Sequence, residues 1–328
     1  MTATTEGTGV CPMCGAQFAD GDRFCEDCGA ALVPAEPPAV RCSSCPAGIL
    51  DADGFCRVCG MQPAVSDRHE LDMDAVAAVT DRGKRHAHNE DAMALRVLPG
   101  TGIRILVVCD GVSSSDHADD AAQRAAATAA DRLADELTAG TGSEAATILA
   151  IGAAADAVAA LGDSGDRTPS CTIVSAVVTA SAVTVGSIGD SRAYWLTTDP
   201  AAIPPRRLST DDSVAAGLVE LGVDESTAMS MPDAHTLTAW LGADADAIEP
   251  HLRTFVPDGP GAVLLCSDGL WNYYPDADRL AELALPAART DPRAAAHHLA
   301  DLALAAGGGD NITVAVAPFP ATSRNLRP

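Results

Sequence analysis

The sequence predicts an α+β layered domain preceded by a small cysteine-rich module. Two observations predict it. Residues 1–62 hold four Cys-x-x-Cys pairs in a stretch rich in Gly and Pro, the pattern of a metal-stapled module. From residue 73 the texture changes to short apolar, β-branched runs and long alanine-rich stretches. Their order is strands, helices, strands, helices and a closing strand, which fits layers packed on sheets.

In order, strands are expected at residues 76–80, 93–97 and 103–109. Helices follow at 118–137, with Asp116 as the cap, and at 144–161, where alanine leaves little periodicity. Strands at 172–178, 182–188 and 191–196 come next, the first two joined by the turn Thr179-Ala180-Ser181. A short helix at 211–221 is capped by Asp211-Asp212-Ser213. Strands at 253–256 and 262–267, helices at 277–285 and 292–306, and a strand at 311–317 complete the domain. The domain bounds are thus residues 1–62 for the module, 63–72 for a polar link, 73–318 for the large domain and 319–328 for a tail.

Composition narrows the function. Hydrophobic residues are 47% of the 328 but aromatics only 3%, so the core rests on Ala, Val, Leu and Ile. The formal charge of −24 argues against nucleic acid and anionic membranes as partners. No apolar stretch reaches the ~18 residues of a membrane span, and the first ten residues lack the pattern of a secretory signal.

The cysteine pairs are Cys11/Cys14 with Cys25/Cys28, and Cys42/Cys45 with Cys56/Cys59, ten residues separating the two pairs of each half. Gly15, Gly29 and Gly60 directly follow a pair and permit the turn that aims backbone N–H groups at the thiolates. The module is an internal repeat that resembles a double zinc ribbon. Two closed, structural Cys₄ zinc sites follow, and zinc in a reducing cytosol is expected. Pairing within each half and pairing across halves both fit the spacing. Pro34, Pro37 and Pro38 form a stiff spacer. The module carries Arg23, Arg41 and Arg57 against eight acids, which suits protein docking better than nucleic acid. Cys109, Cys171 and Cys266 are read as small buried core residues.

Short acidic motifs spread over about 220 residues carry the chemistry: Asn89-Glu90-Asp91, Asp110-Gly111, Gly189-Asp190-Ser191-Arg192, Ser267-Asp268-Gly269 and Gly309-Asp310-Asn311. Several follow apolar runs, which places carboxylates at strand ends. Oxygen ligands without nearby His or Cys suit Mg²⁺ or Mn²⁺. Each Asp-Gly alone is ordinarily a turn; the ordered set is not. Asp190 and Arg192 also fit a buried pair holding a hairpin. Together with Thr80-Asp81-Arg82-Gly83, the motifs occur in the order that resembles the bacterial type-2C metal-dependent Ser/Thr protein phosphatases.

That resemblance covers residues 73–318 and implies a four-layer α-β-β-α sandwich hydrolysing phosphoserine and phosphothreonine with a metal-activated water. It implies that Asp110 bridges two Mn²⁺ or Mg²⁺ ions and that Asp268 and Asp310 complete one site. The Gly111 carbonyl would bind the other, with Glu90 and Asp91 holding its waters. Asp190, with Asp268, would hold a weaker third ion. Phosphorylated proteins, substrates of a Ser/Thr kinase, are the implied partners, and the cytoplasm the implied location. The sequence departs from the family at His86, where relatives place a phosphate-gripping Arg, and His86 is expected to take the substrate phosphate there as an imidazolium; Arg85, as a strand neighbour, would face the other way. Val112 stands where many eukaryotic members have a His, and His117 lies nearby. Residues 215–234 occupy the place of a mobile flap, and Trp240 and Trp271 are expected in the core. The rival reading is a catalytically weak, phosphatase-like adaptor that binds phosphoproteins.

Overall fold

The computed structural model describes residues 8–11, 13–19, 25–28, 48–49, 56–59, 67–162, 167–199, 203–245 and 249–320. The chain divides into two compact units, Met1–Val65 and Ser66–Pro328. In the first, β1 (Thr8–Val10) and β2 (Gln17–Ala19) form an antiparallel pair that brackets the first cysteines. Cys42 and Cys45 lie outside the described residues, as do Gly29, Gly60 and the proline spacer.

The second unit runs β3 (His69–Asp72), β4 (Ala77–Asp81), β5 (Asp91–Val97), β6 (Arg104–Asp110), α1 (Ala118–Thr138) and α2 (Ser143–Ala159). It continues with β7 (Ser170–Cys171), β8 (Ile173–Val178), β9 (Val183–Ile188), β10 (Arg192–Leu196), β11 (Arg206–Arg207), α3 (Val214–Glu220) and α4 (Glu225–Met229). It closes with β12 (Leu241–Gly242), β13 (His251–Phe255), β14 (Gly261–Cys266), α5 (Asp268–Trp271), α6 (Ala277–Ala288), α7 (Pro292–Ala306) and β15 (Ile312–Phe319).

Two sheets form the middle of the unit, ordered β11-β10-β14-β15-β4-β3 and β13-β9-β8-β6-β5. Their strands read as continuous apolar runs because both faces are covered. One core lies between the five-stranded sheet and α1 and α2, a second between the six-stranded sheet and α6 and α7, and a third between the sheets. This is the expected four-layer α-β-β-α sandwich. Alanine builds its outer layers. Ala118, Ala121, Ala122, Ala125, Ala129 and Leu133 of α1 recur at three- and four-residue spacing and are all buried. Between the sheets, Trp195 meets Phe255 and Phe319 edge-on at 5.3 and 5.9 Å, while Tyr194 and Trp271 are buried in the core under α6 and α7. Truncating such an aromatic to Ala costs about 3–5 kcal/mol.

Several boundaries differ from expectation for local reasons. His69–Asp72, placed in the link, is an edge strand paired with β4, and Phe319, placed in the tail, belongs to β15. The residue that flanks the start of α1 is His117, not Asp116; it takes a left-handed φ of 54° and makes no side-chain cap. α3 starts at Val214; only Ser213 of the Asp-Asp-Ser run caps it, accepting the Ala216 N–H at 3.3 Å. α6 continues through Pro286 to Ala288. Residues 215–234 are not irregular: α3 and α4 close on a small cluster of Ala215, Ala228 and Ala234. Among the described residues no helix is long and apolar enough to cross a membrane. Cys109, Cys171 and Cys266 are fully buried, as expected.

Candidate metal centre

Carboxylates from both sheets converge at one end of the sandwich. Asp91 opens β5 and Asp110 closes β6, and the antiparallel register sets them opposite each other. Asp268 follows β14 and Asp310 precedes β15, which are also antiparallel neighbours. Asp190 occupies the turn where the chain leaves β9 of one sheet for β10 of the other. Asp110, Gly111, Asp190, Asp268 and Asp310 line one cavity of about 530 Å³.

Close backbone approaches shape this end. A side chain on Gly111 would meet the carbonyls of Glu90 and Ala118 at 2.7 Å, and one on Gly269 would run into the Asn311 carbonyl. Only glycine fits either place. The motif residues that are not carboxylates fix the ones that are. Asn311 is buried; its side-chain oxygen accepts the Glu90 N–H at 2.7 Å, and its amide donates to the carbonyls of Arg82 (2.8 Å) and His88 (3.1 Å). Ser267 and Thr313 donate to Asp91 Oδ2 at 2.8 and 2.7 Å. Thr172 accepts the Asp110 N–H at 3.2 Å. None of these four was singled out from sequence as a site residue, because only strand register shows which hydroxyl or amide faces which carboxylate.

The electrostatics favour cations. Burial, and then the charges of Asp91 and Asp268, push the Asp110 carboxyl well above the usual range. Burial and Asp310 do the same to Asp268. Burial raises Asp91 to about 7 despite its two hydroxyl donors, and raises Asp190 to about 7, with Asp211 adding to the effect. Asp91 Oδ1 is buried with no hydrogen-bond partner, an unusual state for a carboxylate oxygen. Clustered acids and an orphaned buried oxygen fit hard divalent cations and their bound waters.

Other expectations resolve differently. Arg192 does not pair with Asp190: its guanidinium grips Asp211 at 2.6–3.1 Å and lies 3.7 Å over the Trp271 ring. Trp271 in turn donates its Nε1–H to the Asp190 carbonyl at 2.9 Å, so this core residue supports the site. Asp212 binds the Gly189 N–H and His251, each at 2.8 Å, rather than a helix end. His86 is not among the cavity residues; its Nε2 lies 3.1 Å from Asp310 Oδ1. Residues 82–90 form a loop, so strand alternation does not separate Arg85 from His86. His117 is exposed and faces Asp120 at 3.5 Å. Trp240, expected in the core, forms part of the cavity wall with His235 and Arg167.

The cysteine unit has a different geometry. Cys11, Cys14, Cys25 and Cys28 have sulfurs all within 4.8 Å of one another, so the first site pairs within its half. The Cys11–Cys28 and Cys14–Cys25 separations of 3.7 and 3.5 Å approach the ~3.8 Å edge of a tetrahedron with zinc–sulfur bonds of about 2.3 Å. Backbone N–H groups of Met13 and Cys14 hold the Cys11 thiol down at about 7, and Gly15 makes the turn with φ 77°. The second half repeats the device, with the N–H groups of Val58 and Cys59 reaching Cys56 Sγ at 3.4 and 3.5 Å.

Comparison with known proteins agrees with this anatomy. Residues 11–60 match the double zinc ribbon family model, and residues 80–303 match that of protein phosphatase 2C. The chain is 31% identical over 244 residues to the serine/threonine protein phosphatase PstP of Mycobacterium tuberculosis, covering 74% of this chain and 44% of the relative. It is 34% identical over 146 residues to the serine/threonine phosphatase stp of Listeria innocua, covering 44% of this chain and 54% of the relative. The chain thus spans about half the length of these curated relatives. Among solved structures, the catalytic domain of PstP in complex with two manganese ions superposes with a TM-score of 0.58 at 27% identity, over 76% of this chain and 99% of that one. The match to the family model over residues 80–303, more than half of the chain, shows that the chain belongs to the protein phosphatase 2C family.

Proposed function

We propose that the chain is a metal-dependent protein serine/threonine phosphatase whose zinc ribbons serve targeting or regulation. One observation carries the reading: Asp110, Asp190, Asp268 and Asp310, from the ends of both sheets, line one cavity, and among the described residues no arginine or lysine forms a salt bridge with any of them. Asp110 would be shared by two Mn²⁺ or Mg²⁺ ions, with Asp268 and Asp310 completing one site. The Gly111 carbonyl, with waters held by Glu90 and Asp91, would complete the other. Asp190 and Asp268 would hold a weaker third ion. Bound there, the metals would lower the pKa of a water and offset the phosphoryl charge.

The chain's own residues orient and exclude. Ser267 and Thr313 occupy one oxygen of Asp91 and leave the other free. Asn272 donates to Asp268 Oδ2 at 3.0 Å and fixes that carboxylate's rotamer. Cys109 and Cys266, buried beneath the site, are disfavoured as nucleophiles, since burial pushes their thiols up. Trp240 and the 235–237 segment wall the cavity where a phosphorylated peptide would enter.

The ribbons are read as two structural zinc sites, Cys11/Cys14/Cys25/Cys28 and Cys42/Cys45/Cys56/Cys59, that dock protein partners. Phosphoproteins made by a Ser/Thr kinase are the substrates this reading requires, in the cytoplasm, with no role for nucleic acid or membrane. A weaker adaptor reading draws on His86, which contacts Asp310 instead of lining the cavity. Turnover of a phosphothreonine peptide with and without Mn²⁺ tests the proposal. Metal-dependent release of phosphate is expected; binding of the peptide without release favours the adaptor.

A further inference from the structure

We propose that Arg167 is the residue through which the cavity grips an oxyanion of its substrate. The inference rests on the phosphatase reading above and adds the phosphate- or acid-binding group which that reading lacks once His86 is turned to Asp310. Five acids line the cavity: Asp110, Asp190, Asp244, Asp268 and Asp310. Among the described residues Arg167 is the one arginine or lysine in that lining.

Its guanidinium is uncommitted. Arg167 is exposed, and no described residue pairs with its side chain by a hydrogen bond or salt bridge. Of the other arginines near the site, Arg192 and Arg207 are engaged by Asp211, Arg68 by Asp81, and Arg82 by the His86 carbonyl; Arg85 is exposed beside Gly309 but does not line the cavity. Asp244, the acid on the rim of the same wall, is held by the Trp240 Nε1–H at 3.0 Å.

The backbone beneath Arg167 is fixed to the metal-site loop. Its carbonyl accepts the Asp116 N–H at 3.4 Å. Three residues on, the Ser170 N–H donates to Ser115 Oγ at 3.3 Å and the Ser170 carbonyl accepts the Val112 N–H at 2.9 Å. This loop begins at Gly111, so the base of the side chain sits at a set reach from the carboxylates while the fork stays free. A planar guanidinium matches phosphate or carboxylate with two parallel hydrogen bonds, which lysine and a neutral imidazole do not offer. The oxyanion is either the scissile phosphoryl group or an acidic side chain flanking the phosphorylated residue.

The test uses the full chain with Mn²⁺ and three substrates: p-nitrophenyl phosphate, a phosphothreonine peptide with Ala flanks, and the same peptide with Glu flanks. Arg167→Ala should raise KM on the order of tenfold and leave kcat within about twofold, as loss of one charge-assisted contact predicts. Arg167→Lys should recover part of the loss, and Arg167→Glu should exceed it. A rise on all three substrates assigns the phosphoryl group; a rise confined to the Glu-flanked peptide assigns the flanking acid. Calorimetric binding of a non-hydrolysable phosphonate peptide to wild type and Arg167→Ala gives a readout independent of turnover. Weaker binding by the variant supports the proposal even if the wild type releases no phosphate, a result that would overturn only the phosphatase reading. Equal KM on all substrates together with equal binding overturns the role of Arg167.

Discussion

The two metal-ligating regions of this chain are built on opposite principles. In the ribbon, four thiols from 18 consecutive positions, Cys11 to Cys28, close to within 4.8 Å of one another beside a single two-stranded pair, β1-β2. In the cavity, carboxylates spread over about 220 residues are brought together only by two sheets and stay arranged around an open space. A closed site made of soft ligands has no position for substrate and stabilises a fold too small to hold itself. An open site made of hard ligands gains nothing for stability on its own, because burial and mutual repulsion push Asp91, Asp110, Asp190 and Asp268 toward the protonated form. One site lends stability to its fold; the other draws on the stability of its fold.

The largest expected effect follows from the open site. Asp110→Ala should lower kcat by about a thousandfold or more, the scale of several kcal/mol of charge stabilisation lost, while zinc content stays at the wild-type level. Retained activity would break the assignment of Asp110 as the shared ligand. A stability effect follows from the same acids. A carboxyl whose folded pKa exceeds its unfolded value keeps its proton longer when folded, so the metal-free protein loses stability as pH rises between the two values. For Asp91 and Asp190 that window runs from the ordinary ~4 to about 7. Chelator-treated protein should therefore melt several degrees lower at pH 7.5 than at pH 5.5, with roughly 2–4 °C per kcal/mol in a domain of this size. Mn²⁺ should restore most of the difference at pH 7.5. Calorimetric scans with no such dependence would mean that the acids are relieved by something other than metal.

What the sequence made legible divides along the same line. The ribbon's ligands were readable from spacing alone, because a knuckle is local; which pairs join was not, since both arrangements have equal spacing. The cavity's carboxylates were readable because each ends an apolar run. Asn311, Ser267 and Thr313 were not, since each acts across strands and register is invisible in a single strand. Arg192 and Asp211 could not be paired from sequence for the same reason. Trp240 was misplaced because an aromatic in a core and one in a cavity wall look alike in a sequence. The two-residue strands β7 and β12, which pair to hold that wall, are too short to show a period.

His86 gives a smaller effect that sharpens the comparison. Its contact to Asp310 makes it a positioning residue for the open site. Outer partners of metal ligands are typically worth 10–100-fold in affinity or activity. His86→Ala should raise the Mn²⁺ concentration needed for half-maximal activity about tenfold and leave KM for a phosphothreonine peptide nearly unchanged. A raised KM at saturating Mn²⁺, with the metal requirement untouched, would return the ring to the substrate phosphate and leave Asp310 without a helper.

The smallest effect should come from removing the closed site altogether. The cut matters. β3 pairs with β4, Arg68 binds Asp81 and Asp301 at 2.8 Å, and Glu70 meets His297 at 2.6 Å. A truncation at Leu71 would delete half of an edge strand and these ties, so its lower melting temperature would say nothing about zinc. A chain beginning at Ser66, where the second compact unit starts, keeps them. The full chain should carry about two equivalents of zinc, as two Cys₄ sites require, and the truncated chain none. The truncated chain should turn over a small phosphothreonine peptide within about twofold of the full chain, because a zinc ion already surrounded by four thiolates can neither bind nor activate a water. If the truncated protein melts like the full chain but loses turnover, the ribbon contributes to the cavity, and the separation of a closed structural site from an open chemical one is wrong.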